Sequence, residues 1–175
     1  MKIIKAIGLT TTLLASAYVS AAASWLHVSQ SVSINAPAAK VWKAMKDFNG
    51  LNTWHPAVAK DEIVEGKNDA VGAVRLLTLK DGGTIKEKLL AFNGPARKFR
   101  YAILEGVLPV SDYSSSVSVV ADGKGKSKVT WTGRFHRKNT GDSPADNEND
   151  KTAVDTITGV YRAGLDNLKK MMEGG

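Results

Sequence analysis

The feature that most limits what this chain can fold into is its C-terminal stretch. Val154, Ile157, Tyr161, Leu165, Leu168 and Met172 step by three or four, which paints one apolar stripe along a long helix. Gly159 and Gly164 interrupt that helix, each at a propensity cost of about 1 kcal/mol against alanine. Packing must therefore hold it, or small residues are needed where it comes close to a neighbour. The segments ahead of it need such a stripe. Val28, Gln30, Val32 and Ile34 alternate with serines, the pattern of a half-buried first strand. Further strands are predicted at 60–65, 73–79, 84–92, 98–104, 113–121 and 128–136, separated by turn signals such as Asp81-Gly82-Gly83, Asn93-Gly94-Pro95 and Asp122-Gly123-Lys124-Gly125.

After the first strand, Pro37 suits a helix start, and Val41, Ala44, Met45 and Phe48 give about three turns with one apolar face, ending at Gly50. A second short helical piece, broken at its proline, is expected around Trp54-His55-Pro56. The last helix is expected to begin as early as Ser143-Pro144. The fold class is thus α+β: a seven-stranded, curved antiparallel sheet wrapped around a long C-terminal helix, with two short helices after strand 1. A sheet curled around one helix leaves a hollow, and concave, mostly apolar spaces with a few inward polar groups are where ligands bind.

One hairpin says which polar groups point inward. A three-residue Lys80-Asp81-Gly82 loop, with Gly82 left-handed, sets Arg75 opposite Glu87, Leu77 opposite Ile85 and Ala73 opposite Leu89. A Gly82-Gly83 loop would instead turn Lys86 and Lys88 onto the apolar face, which excludes that register. An Arg75–Glu87 pair on an apolar face reads either as a ligand anchor or as a structural cross-strand ion pair. By the same alternation Tyr101 and Tyr113 point inward, where a buried phenol needs a partner and can offer one to a ligand. Trp131 shares the inward face of its strand, and Trp54 and His55 fall near the expected cavity mouth, with Trp131 read mainly as core.

Other chemistry is excluded or unsupported. The 175 residues contain no cysteine, which rules out disulfides, thiolate metal sites and a cysteine nucleophile. Of three histidines, His27 and His136 fall on the outward faces of their strands. His55 is a candidate general base without a carboxylate in reach to orient it, or else a histidine bonded to backbone. No metal site, cofactor or catalytic residue is predicted. An EF-hand from Asp146 would need Gly and Glu where Lys151 and Ile157 stand. The Gly-Lys-Ser piece at Gly125 sits between strands and lacks the first glycine of a phosphate loop, since Val120 stands there.

Residues 1–23 read as a cleaved signal peptide: Lys2 and Lys5, an apolar run, then small residues at Ser20–Ala23. The remainder, 24–175, is one domain without a later membrane span, expected in the periplasm. The formal charge is +7. Export makes nucleic acid an unsuitable partner and leaves an acidic periplasmic protein as the electrostatic alternative, met first at Lys86, Lys88, Lys124, Lys126 and Lys128.

From Pro37 through Val41-Trp42, Trp54-His55-Pro56, Gly72-x-x-Arg75, Asp81-Gly82, Glu87-x-Leu89, Tyr101, Leu108-Pro109-Val110, Tyr113, Val129-x-Trp131 and Phe135, the chain resembles the SRPBCC superfamily. These are START-like, helix-grip proteins that include polyketide cyclases. The resemblance covers residues 24–173 and is strongest to the MxaD-like branch, periplasmic proteins associated with bacterial methanol oxidation. It implies a cavity for a small hydrophobic ligand, rimmed by residues 80–83 and 105–111 and lined by Arg75, Glu87, Tyr101, Tyr113, His55, Trp54 and Trp131. It also implies an accessory role toward a dehydrogenase and its cytochrome. A ligand-free docking protein and a cyclase- or dehydratase-like enzyme using His55 or Arg75–Glu87 are the alternatives. The acidic segment 142–150 has no counterpart in the family pattern.

Overall fold

The computed structural model describes residues 24–174; the expected signal peptide lies outside the described residues. Strand β1 (Leu26–Ile34) is followed by helix α1 (Ala38–Met45), a single 3-10 turn at Leu51–Thr53, and strands β2 (Val58–Glu65), β3 (Val74–Leu79), β4 (Thr84–Asn93), β5 (Lys98–Gly106), β6 (Val110–Ala121) and β7 (Ser127–Arg137). Helix α2 (Asp150–Glu173) ends the chain, and every strand pair is antiparallel in the order β1-β7-β6-β5-β4-β3-β2.

Three expectations about helices need correction. The first helix has two turns rather than three, because Lys46 caps it and Asp47 turns the chain; Phe48 is buried beyond its end. The second short helix is only the 3-10 turn, and it closes at Trp54 before His55-Pro56. Helix α2 also starts later than Ser143-Pro144. Asn149 is its N-cap and accepts the Thr152 N–H, satisfying one of the orphan donors of the first turn. The acidic segment before it is tied down by Arg137, which bonds Asp150 Oδ1 at 2.7 Å and the carbonyls of Asn139 and Gly141.

The predicted hairpin register holds: Arg75 pairs with Glu87 and Leu77 with Ile85, and the Leu79 N–H meets the Gly83 carbonyl across a loop in which Gly82 has φ of +89°. Helix α2 crosses β1 and β7 and buries Ile157, Tyr161, Leu165 and Leu168 against the sheet. The two helix glycines differ. A Cβ on Gly164 would sit 2.6 Å from His55 Cδ2 and 3.1 Å from Trp131, whereas Gly159 faces open space. Close approach therefore explains Gly164 alone.

The sheet is split over part of its length. β5 and β6 pair only from Lys98–Ser118 to Ala102–Ser114, and beyond that β5 stays with β4 while β6 stays with β7. A groove of about 360 Å³ opens in the split, lined by residues such as Leu104, Glu105, Ser111 and Lys138.

Candidate functional site

The hollow between sheet and α2 is largely filled. What remains is a cavity of about 70 Å³ walled by Leu77, Ile85, Ile103, Leu108, Ile157 and Val160, with Glu87, Tyr101, Tyr113, Trp131 and His55 among its lining. Its rim is shut where the 3–4 and 5–6 loops meet: the Val107 N–H donates to the Thr84 carbonyl, and a Cβ on Gly83 would lie 2.9 Å from a Val107 methyl. Ile103, Leu108 and Tyr113 border both this cavity and the outer groove in the β5–β6 split. They form the partition between the two spaces.

Arg75 does not line the cavity, nor does Trp54. Arg75 lies behind Glu87 with every arm of its guanidinium engaged. Nε donates to Glu87 Oε2 at 2.8 Å and Nη2 lies 2.6 Å from the same oxygen, while Nη1 donates to the Phe48 carbonyl at 2.6 Å and to Asp61 Oδ2 at 3.3 Å. The Phe48 ring stacks 4.2 Å from the guanidinium carbon. Of the two sequence readings of the pair, this geometry matches the structural ion pair. Trp54 instead packs against Trp131 at 5.7 Å and leaves its carbonyl to Asn167 of α2.

Asp61 is a site residue that the sequence reading missed. A β-bulge between Val58 and Lys60 lets Val58 and Asp61 both face inward, which simple alternation forbids. Its Oδ2 also accepts the Leu51 N–H at 2.9 Å, and Oδ1 is buried without a partner. Two buried carboxylates thus share one guanidinium. Burial pushes both carboxyls up from their ordinary values, and Arg75 pulls each back down. For Arg75, burial works against the charged form, but Glu87 and Asp61 outweigh it and hold the guanidinium above its ordinary value.

On the other side of the cavity the polar groups are neutral. Trp131 Nε1–H donates to Tyr101 Oη at 3.0 Å and to Ser115 Oγ at 2.9 Å, and Ser115 donates in turn to the Thr132 carbonyl at 2.7 Å. With its proton spent there, Ser115 can only accept from Tyr161 Oη at 3.1 Å, and Tyr161 then accepts from Tyr113. The protons therefore run in one direction, from Tyr113 through Tyr161 and Ser115 to backbone. Tyr101 reaches Tyr113 only at 3.5 Å, so its hydroxyl is the least committed of the three. Burial raises all three phenols above their ordinary value, which keeps them neutral donors. Tyr161 was visible in the helix stripe and Ser115 in the Tyr113 face, but neither pattern signalled a network.

His55 sits inside, not at the entrance. It is 4% exposed. Nε2 lies 3.0 Å from the Val160 carbonyl of α2 and must carry the proton, while Nδ1 accepts the Ala57 N–H at 3.2 Å. Burial lowers its pKa despite the Val160 bond, so the ring is neutral with both nitrogens occupied. That is a clamp between the 3-10 turn and α2. Among the described residues no group of three or more His, Cys, Asp or Glu is arranged to hold a metal, and no helix is long and apolar enough to cross a membrane.

Comparison with known proteins follows the same outline. A family model described as polyketide cyclase / dehydrase and lipid transport matches residues 26–173. The chain belongs to this family. It shares the SRPBCC helix-grip architecture with XoxI from Bacillus cereus, at 30% identity over 83% of this chain and 94% of that one, with a TM-score of 0.73. An uncharacterised protein from Bacillus thuringiensis matches at 30% identity over 84% and 98% of the two chains, TM-score 0.74. The crystal structure of Ara h 8.0201, 22% identical over 87% of this chain and all of that one, shows the same fold at a TM-score of 0.67. A hydrophobic-ligand-binding fold is what the family and the cavity have in common.

Proposed function

We propose that the protein binds a small, largely apolar molecule between the sheet and α2, as an exported accessory protein of the MxaD-like kind. The observation that carries this is the enclosed apolar cavity with a carboxylate and two phenols on its wall. The cavity is well below the roughly 300–1,000 Å³ of ordinary ligand pockets, so a larger molecule must displace the partition of Ile103, Leu108 and Tyr113. The likeness to XoxI supports the MxaD-like assignment, and the Lys2/Lys5 leader pattern supports export to the periplasm. Native mass spectrometry of protein recovered from its own host tests both. A stoichiometric small molecule on a chain lacking its first twenty-odd residues is expected; an intact N-terminus would sink export, and an empty cavity in every preparation would sink binding.

A second reading, docking on an acidic protein without a ligand, has one observation of its own. The outward faces of β1, β7, β6 between Ser114 and Val120, and β5 up to Leu104 carry His27, Lys98, Arg100, Lys128 and Arg134 among serines and threonines, with no carboxylate. Of the lysines singled out in the sequence, Lys86 is paired with Glu65 at 3.0 Å and contributes less. A complex that forms at low salt and dissolves at high salt would favour this reading. Catalysis finds less support, because both nitrogens of His55 are bonded to backbone.

A further inference from the structure

The Arg75–Glu87 pair was the expected polar anchor, and the structure sets its carboxyl rather than its guanidinium on the cavity wall. We infer that the cavity selects a small molecule carrying an ammonium group over its alcohol or carboxylate counterpart. The inference rests on the binding reading above and names the ligand class.

Three independent features converge. First, the one carboxyl that lines the cavity, among the described residues, is that of Glu87, with Arg75 shielded behind it. Glu87 Oε2 takes both Arg75 contacts, while Oε1 has no hydrogen-bond partner among the described residues. An unpartnered carboxylate oxygen accepts hydrogen bonds and repels anions. Second, two carboxyls face one guanidinium. Asp61 and Glu87 both answer to Arg75, Asp47 stands nearby, and both nitrogens of His55 are bonded to backbone. Among the described residues no lysine lines the cavity. A cation next to Glu87 would compensate the second carboxyl as it ionises; an anion would oppose that ionisation. Third, aromatic rings form the adjoining wall. Tyr101, Tyr113 and Trp131 line the same space, and a cation that meets a free ring face there is attracted to it. A carboxylate beside several rings in a dry pocket is a fitting environment for an alkylammonium group, whose methylenes suit the Leu77, Ile85 and Ile157 side.

The test is a titration of the purified protein with three probes of matched shape: isobutylammonium, isobutanol and isobutyrate. The reporter is the Trp131 indole N–H in a nitrogen–proton correlation spectrum, since that group bonds Tyr101 and Ser115 at the cavity wall; its signal is assigned by its loss in Trp131→Phe. Isobutylammonium is expected to saturate at a concentration at least about tenfold below isobutanol, with isobutyrate weakest. In Glu87→Gln most of that preference should vanish while isobutanol still binds. Equal affinity for ammonium and alcohol, or a preference for isobutyrate, would overturn the inference and leave the binding cavity standing. If none of the three moves the indole signal, the inference and the binding reading fall together. Should Glu87→Gln not fold by circular dichroism, the order of the three probes on the wild-type protein decides alone.

Discussion

The two walls of the cavity bury polar groups in contrasting ways. On the β2–β3–β4 side, Asp61, Arg75 and Glu87 bury three ionisable groups, two carboxyls to one guanidinium, and leave Asp61 Oδ1 and Glu87 Oε1 without a partner. On the β5–β6–β7 side, Tyr101, Tyr113, Tyr161, Ser115 and Trp131 bury five neutral groups whose protons are allotted along a chain ending on backbone. A neutral network can be satisfied locally. An ionic one is satisfied only if its charges are matched, and removing one member exposes the others to the full penalty of burial. The difference teaches that the ionic wall is the sensitive one, and that a ligand is felt there first.

The contrast can be broken most forcefully at its centre. Arg75→Met leaves two buried carboxyls without their cation and is expected to cost about 3–5 kcal/mol in denaturant unfolding. Replacing all three members together with apolar residues of similar volume (Asp61→Leu, Arg75→Met, Glu87→Leu) should recover most of that loss; if the triple variant is as unstable as the single one, the ionic wall is not what Arg75 supports. Next in size is the approach of α2 to the neutral wall. Gly164→Ala drives a methyl into His55 and Trp131 and should cost about 1–3 kcal/mol. Gly159→Ala, on the open side of the same helix, should instead gain up to about 1 kcal/mol. A melt series of the two alanine variants that moves in the same direction would contradict this. Tyr161→Phe takes away the acceptor of Tyr113 and one of the donors to Ser115, and is expected to cost about 1–2 kcal/mol, less than Arg75→Met because no charge is stranded.

Proton linkage sharpens the comparison further. His55 is held below its ordinary value, so the unfolded chain binds the proton more tightly. Its contribution to stability is complete above the unfolded pKa near 6.5 and is lost as pH falls below it. The buried carboxyls are raised, so the native state binds their protons more tightly and their contribution declines as pH rises above the ordinary carboxylate range. His55→Gln should therefore flatten the fall in stability on going from pH 7 to pH 5, whereas Glu87→Gln should leave that fall steeper. The phenols, all raised by burial, add nothing to either profile across this window.

How far the sequence disclosed this arrangement depends on the range of the rule involved. The Arg75–Glu87 pairing was legible because turn length fixes hairpin register within a dozen residues. The helix stripe was legible because Tyr161 and Leu165 repeat at a helical period. Asp61 was hidden because a bulge reverses strand alternation without a residue type that announces it. The burial of His55 was hidden for another reason: it depends on how closely α2 approaches at Gly164, and that distance is set by the whole fold. Which member of the Arg75–Glu87 pair reaches the cavity was hidden for a related cause. Alternation says which side chains point inward, but not which of them stands in front.

The split between β5 and β6 also has a mechanical meaning. The domain is two plates, β2 to β5 on one side and β6, β7, β1 with α2 on the other, riveted by a seam of five residue pairs from Lys98–Ser118 to Ala102–Ser114. The His55 and Asn167 bonds to and from α2 act as a second, thinner tie across the same gap. Under load or thermal agitation such a body parts from its free end inward, like a clasp. Amide protons at Tyr101 and Ser115, which bond across the seam next to the split, are accordingly expected to exchange with solvent sooner than those at Phe99 and Val117, deeper in the seam.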